Sequence, residues 1–180
     1  MPYNPLVRKK TFKKSRWVSL QEKEIKFKNQ RIEKYHSLDV HDYVVILATT
    51  PSNKVPIVRQ YRPAVEKMTW EFPAGLIDAK MSPKNIAVQE LREEALLKVN
   101  KITKLGETFA DPGRLSCRVH SFFAECEERD LGAITEENIS LKFVNKNELI
   151  SMIVKNQIFS MHVSLIAYGI LKKIKWFDDF

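Results

Sequence analysis

The chain has 180 residues, 44% of them apolar, and carries 30 Lys and Arg against 22 Asp and Glu for a formal charge of +8. That length and apolar share suit one cored domain, with or without an arm, and exclude a disordered chain. No apolar run approaches the ~20 residues of a membrane-spanning helix, and no apolar core of a secretory leader is present.

The positive charge is concentrated at the start, where Arg8, Lys9, Lys10, Lys13, Lys14 and Arg16 precede the first acidic residue, Glu22. Residues 1–16 therefore read as a basic N-terminal arm. It is either a solvated tail or a contact for nucleic acid, an anionic surface or an import receptor. Phe12 is the one aromatic within the run, so single-strand stacking finds little support, and nucleic acid is not the favoured partner.

Residues 17–20 and 24–28 alternate as strands around a polar break, 28–30 form a turn, and 31–37 return as a third strand. The continuous apolar run 43–49 predicts a buried strand, and 55–61 is expected to pair back on it as a hairpin after a loop at 50–54. Arg62 follows, immediately before Pro63; unless it meets a ligand, it is a surface Arg bridging to Glu66 or Glu71.

From Trp70 the text reads as a strand, a turn at Gly75, a loop, and a helix. Ser82 caps the helix, and Pro83 suits its first position because the missing N–H costs nothing there. Ile86, Ala87, Leu91 and Ala95 recur at helical spacing and face inward. Glu90, Glu93 and Glu94 gather on a neighbouring face, with Arg92 the one cation between them. Two readings stand for these carboxylates. They make an acidic solvated helix, or they hold a hard cation such as Mg²⁺ or Mn²⁺.

Strands are expected at 101–108 and 118–124 around an Asp111-Pro112-Gly113 turn, with His120 as a hydrogen-bonded strand residue. Cys117 and Cys126 fall on opposite faces by parity, so no local disulfide is expected, and the chain reads as reducing and cytoplasmic. Residues 127–130 read as a polar turn, 133–138 as a loop, and 139–144 as a strand. Asn145 caps a helix to Val154 with Leu149, Ile150 and Ile153 inward. A second amphipathic helix spans 162–174, and Trp176 and Phe177 pack back or cover a partner.

The segment from Gly75 to Leu97 resembles the signature of the Nudix hydrolases. That signature runs Gly, five residues, Glu, seven residues, Arg-Glu-apolar-any-Glu-Glu-any-Gly-apolar. Glu90, Glu93 and Glu94 fall on its acidic positions, while Met81, Gln89 and Leu96 stand where the first Glu, the Arg and the last Gly belong. The flanks Arg59-Gln60-Tyr61-Arg62-Pro63, Trp70 to Asp78 and Ala110-Asp111-Pro112-Gly113 look like the ADP-ribose and nucleoside-diphosphate-sugar branch. The likeness runs from about residue 17 to 173.

The resemblance implies an α/β fold: an α/β/α sandwich with a mixed sheet over 41–180, preceded by a small antiparallel sheet over 17–40, in a homodimer. It implies Mg²⁺- or Mn²⁺-dependent cleavage of ADP-ribose or a related nucleoside-diphosphate sugar. Glu90, Glu94 and the Ala74 carbonyl would hold metal, and Glu93 would assist. Glu137 or Glu136 would deprotonate water. Arg62, Gly75 and Leu76 would meet the small nucleotide substrate, and Trp17 would stack on adenine unless it is a core or interface residue. The alternative is a catalytically impaired Nudix-fold protein that binds nucleotide or nucleic acid or joins an assembly. Without Gly at 96, the helix is expected to run on toward Asn100.

Overall fold

The computed structural model describes residues 4–77, 80–129, 138–158, 165–166, 168–170 and 172–178, with the backbone alone at 128–129. The chain divides into two compact units, Met1–Asp42 with Thr108–Arg118, and Tyr43–Glu107 with Val119–Phe180.

In the first unit, β1 (Leu6–Lys13), β2 (Val18–Lys26) and β3 (Ile32–Val40) form an antiparallel sheet in that order. The basic arm is thus a strand and not a tail. Its register explains why so charged a segment pairs: Lys10 lies opposite Glu22, which faces His36 on its other side, and Arg8 lies opposite Glu24, which faces Lys34 on its other side. Opposite charges facing across a ladder are stabilising. The polar residues around Gln21, expected to break a strand, are paired on both sides, so β2 is continuous. On the free side of β3, Leu38 donates to the Arg114 carbonyl at 2.8 Å and accepts from Ser116 at 3.0 Å.

The second unit is built on β4 (Tyr43–Thr49), flanked by β7 (Ala74–Leu76) and β9 (Arg118–Arg129), with β8 (Leu97–Phe109) beyond β9. β4 runs parallel to β9 and antiparallel to β7. With both its edges taken, β4 does not pair with β5 (Val55–Arg62). The expected hairpin is replaced by a second sheet in which β5 lies between β6 (Lys67–Glu71) and β10 (Ser140–Val144). β9 also extends through the expected turn at 127–129.

Helix α1 (Pro83–Ala95) covers one face of the sheet that contains β4 and β9. Its Ile86, Ala87, Leu91 and Ala95 join Val44, Ile46 and Ala48 of β4 and Phe122, Ala124 and Cys126 of β9 in one core. The intervening residues serve the other face, where Phe123 meets Phe177 at 5.3 Å and Trp176 at 5.8 Å between ring centroids. Covering both faces is why β4 reads as an unbroken apolar run. The fold is therefore the expected α/β/α sandwich around a mixed sheet, with a small antiparallel N-terminal sheet.

Helix α2 (Lys146–Val154) starts where Asn145 accepts from the Glu148 amide at 2.9 Å. It buries Leu149 and Met152, whereas Ile150 and Ile153 are only half-buried, so its inward face is rotated from the expected one. Within the expected second helix, 165–166 and 168–170 are helical and the other residues of 159–171 lie outside the described ones. Among the described residues, no helix is long and apolar enough to cross a membrane. Both cysteines are buried and free.

Candidate active site

Three local features aim α1 at β7. Ser82 accepts the Asn85 amide at 3.2 Å, which fixes the helix start. The Pro73 carbonyl accepts from Ile46 at 2.9 Å. Ala74, Gly75 and Leu76 then pair with Val45, Val44 and Tyr43. Gly75 is accordingly a strand residue and not a sharp turn, and its φ is not positive.

Its missing Cβ has a different use. A Cβ built there would lie 1.9 Å from Glu90 Oε1, so the Glu90 carboxylate occupies the space a side chain would fill. One turn later, buried Glu94 accepts the Ala74 N–H at 2.9 Å through Oε2. Two carboxylates of one helix thus converge on two consecutive backbone residues. Glu93 does not join them: Gln89 Nε2 donates to its Oε1 at 2.9 Å, one turn back along the helix surface. The expected three-carboxylate face is therefore two carboxylates inward and one beside Gln89.

The donor set suits a hard divalent cation, offering carboxylate oxygens and the neighbouring Ala74 carbonyl. Among the described residues no three His, Cys, Asp or Glu side chains cluster in ligating geometry.

Helix α1 ends at Ala95, and Leu96 takes the left-handed conformation at φ 56° and ψ 36° while its N–H reaches the Leu91 carbonyl. The expectation of a longer helix is overturned. Burial of Leu96 and Leu97 in the core fixes the chain reversal there, whatever residue stands at 96.

Arg62, at the end of β5, directs Nε and Nη2 to the two oxygens of Glu71 at 2.8 and 2.5 Å. The Thr69 hydroxyl donates to the same carboxylate. The hydrogen bond to Glu71 is the largest influence raising the Arg62 pKa. Burial opposes it, and the charges of Glu71 and Glu94 add to it. Of the helix carboxylates, Glu94 is the one whose charge acts on Arg62.

Leu76 is 45% exposed at the end of β7. Trp17 lies in the first unit, 37% exposed, with the Arg16 guanidinium 4.2 Å above its ring and His41 edge-on at 5.8 Å. His120 is buried on β9 with Nδ1 3.2 Å from Glu107 Oε2. Glu136 and Glu137 lie outside the described residues. Sequence reasoning assigned no site role to Thr69 or Glu71, although a Glu between Trp70 and Phe72 at a buried strand position is itself a signal of a charge held for a partner.

The NUDIX domain family model matches residues 39–161. An ADP-ribose pyrophosphatase of Bacillus subtilis is 30% identical over 108 residues, 60% of this chain and 58% of that protein, so the match spans less than two thirds of that relative. A methanol dehydrogenase activator of Bacillus methanolicus is 26% identical over 147 residues, 80% of each chain. The solved structure of an ADP compounds hydrolase superposes with a TM-score of 0.76 at 18% identity, covering 94% of this chain and 93% of that one.

Proposed function

The chain belongs to the NUDIX family, and from that premise we propose that it is a divalent-metal-dependent pyrophosphatase. Its substrate is ADP-ribose or a related nucleoside-diphosphate sugar, and its products are a nucleoside monophosphate and a sugar phosphate. One observation carries the reading: Glu90 and Glu94 converge on Ala74 and Gly75, where glycine leaves room for a carboxylate.

The motif's departures do not undo that arrangement. Leu96 turns the chain where Gly would, Gln89 gives Glu93 a neutral partner in place of a cation, and Met81 is exposed ahead of the capping Ser82. The relative named for ADP-ribose supports the substrate class.

In this mechanism Glu90 and Glu94 would hold the cation together with the Ala74 carbonyl. A divalent cation, when bound, offsets phosphate charge and acidifies water. The Ala74 N–H keeps the Glu94 carboxylate in one orientation. Arg62 binds the diphosphate, and Glu93 assists through its charge from its place beside Gln89. Glu137 or Glu136 takes the proton of the attacking water. Gly75 and Leu76 border the substrate, and Trp17 stacks on a purine base. We further propose a cytoplasmic homodimer joined through the N-terminal sheet, which exposes Leu6, Phe12 and Ile32.

Incubation of the protein with ADP-ribose and Mg²⁺, followed by phosphorus NMR, tests the reading. AMP and ribose 5-phosphate should appear, and a chelator should stop their formation. Intact ADP-ribose and ADP-glucose after incubation with either Mg²⁺ or Mn²⁺ would overturn it.

A further inference from the structure

We propose that Glu71 is a positioning residue for diphosphate recognition, clamping one edge of the Arg62 guanidinium so that its other edge meets a phosphoryl group. The proposal rests on the function just given, because it takes Arg62 to bind the diphosphate.

The ladder between β5 and β6 sets the geometry. Arg62 lies opposite Lys67, Gln60 opposite Thr69 and Val58 opposite Glu71, so Arg62, Thr69 and Glu71 share one face of the sheet. Arg62 lies back along that face to reach Glu71, two rows away. The two ends of the pair differ in exposure: the Arg62 side chain is 42% exposed and that of Glu71 is 7%. One end of the clamp is anchored inside the protein and the other opens outward.

A guanidinium carries five N–H donors in a rigid fork. Glu71 takes the edge made by Nε and Nη2. The edge made by Nη1 and the second Nη2 proton points away from that carboxylate, and its two donors match two oxygens of a phosphoryl group. Thr69 removes the remaining freedom. Its hydroxyl, on a residue 4% exposed, donates to Glu71 Oε1 and holds the plane of the carboxylate.

An ion pair with one end buried is weak evidence of a stabilising role. A carboxylate fixed by a hydroxyl, gripping an arginine within the field of Glu94, instead sets the direction of that arginine.

A double-mutant cycle on ADP-ribose turnover with Mg²⁺ tests the proposal, using wild type, Glu71→Gln, Arg62→Met and the double variant. Circular dichroism and thermal melting verify that each is folded at the assay temperature. Glu71→Gln should lower kcat/KM by roughly 10-fold, mostly through KM, as expected when a binding group loses its aim. In the Arg62→Met background the same substitution should change kcat/KM by less than about 2-fold, because Glu71 acts through Arg62. Thr69→Val, which leaves the ion pair in place, should lower kcat/KM less than Glu71→Gln and be silent beside Arg62→Met. It decides the matter if Glu71→Gln does not fold. Equal losses from Glu71→Gln in both backgrounds, or no loss in either, would overturn the proposal while the hydrolase reading stands. A wild type that turns over no nucleoside-diphosphate sugar removes the reading underneath and the proposal with it.

Discussion

Leu96 holds a left-handed conformation that disfavours any residue with a Cβ, at a cost of about 1–2 kcal/mol. It is also 3% exposed. Glycine would relieve the strain but forfeit a buried leucine, a loss of about 2–5 kcal/mol, and would add freedom to the unfolded chain. Leu96→Gly should therefore destabilise the protein by roughly 1–3 kcal/mol in a urea titration, although it restores the family's usual residue. Gly75 gives the opposite result. A Cβ there meets the flexible Glu90 side chain from its carboxylate back to Cγ. Gly75→Ala should cost less than about 1 kcal/mol in stability yet lower kcat/KM on the order of 100-fold, since Glu90 is displaced from the site. Comparing its melting curve with its turnover separates the two effects. The need for glycine at 75 was legible in the sequence; its reason was not, because the atom that fills the space comes from a helix fifteen residues on.

Among the elements, those whose signals are local were legible. α1 announces itself through Ser82, Pro83 and the spacing of Ile86, Ala87, Leu91 and Ala95. Ser82→Ala should cost about 1 kcal/mol of stability by denaturant titration, the usual loss of a capping oxygen. β4 was legible because both its faces are buried. The partner of β5 was not, since which edges of β4 stay open depends on β7 and β9, both distant in sequence. β1 was missed for a related reason: Arg8 and Lys10 look like a solvated charge run until Glu24 and Glu22 are set opposite them. At the C-terminus, Gly169 is the fit point for the Phe177 ring. A Cβ there would lie 2.4 Å from that ring, which is 1% exposed. Gly169→Ala should lower stability by about 1–3 kcal/mol, the range for overpacking, as read from the urea midpoint.

At the scale of the whole molecule, the second unit's core carries a titratable group that sets an alkaline limit. Burial pushes the Cys126 thiol up to about 12 from its ordinary 9.0. Between those values the unfolded chain has released this proton while the folded one keeps it, so rising pH favours unfolding. The stability advantage of wild type over Cys126→Ala should shrink as pH climbs from 9 toward 12, measured by urea titration at each pH. The convergence of Glu90 and Glu94 was legible because helical spacing sets both on one side of α1. The Arg62–Glu71 bridge was legible only as one of two alternatives to a site role, and Thr69 escaped altogether, because both depend on the β5–β6 register, which no short-range pattern encodes. The central claim is that the α1 carboxylates serve a hydrolytic centre, and the most direct measurement is Mg²⁺-dependent AMP release from ADP-ribose by wild type and Glu94→Gln. The amide keeps an oxygen for the Ala74 N–H while removing the charge. The account predicts metal-dependent turnover that falls by ~100-fold or more in a variant that still folds, equivalent to about 3 kcal/mol. Equal turnover by the two proteins, or turnover indifferent to metal, would contradict it.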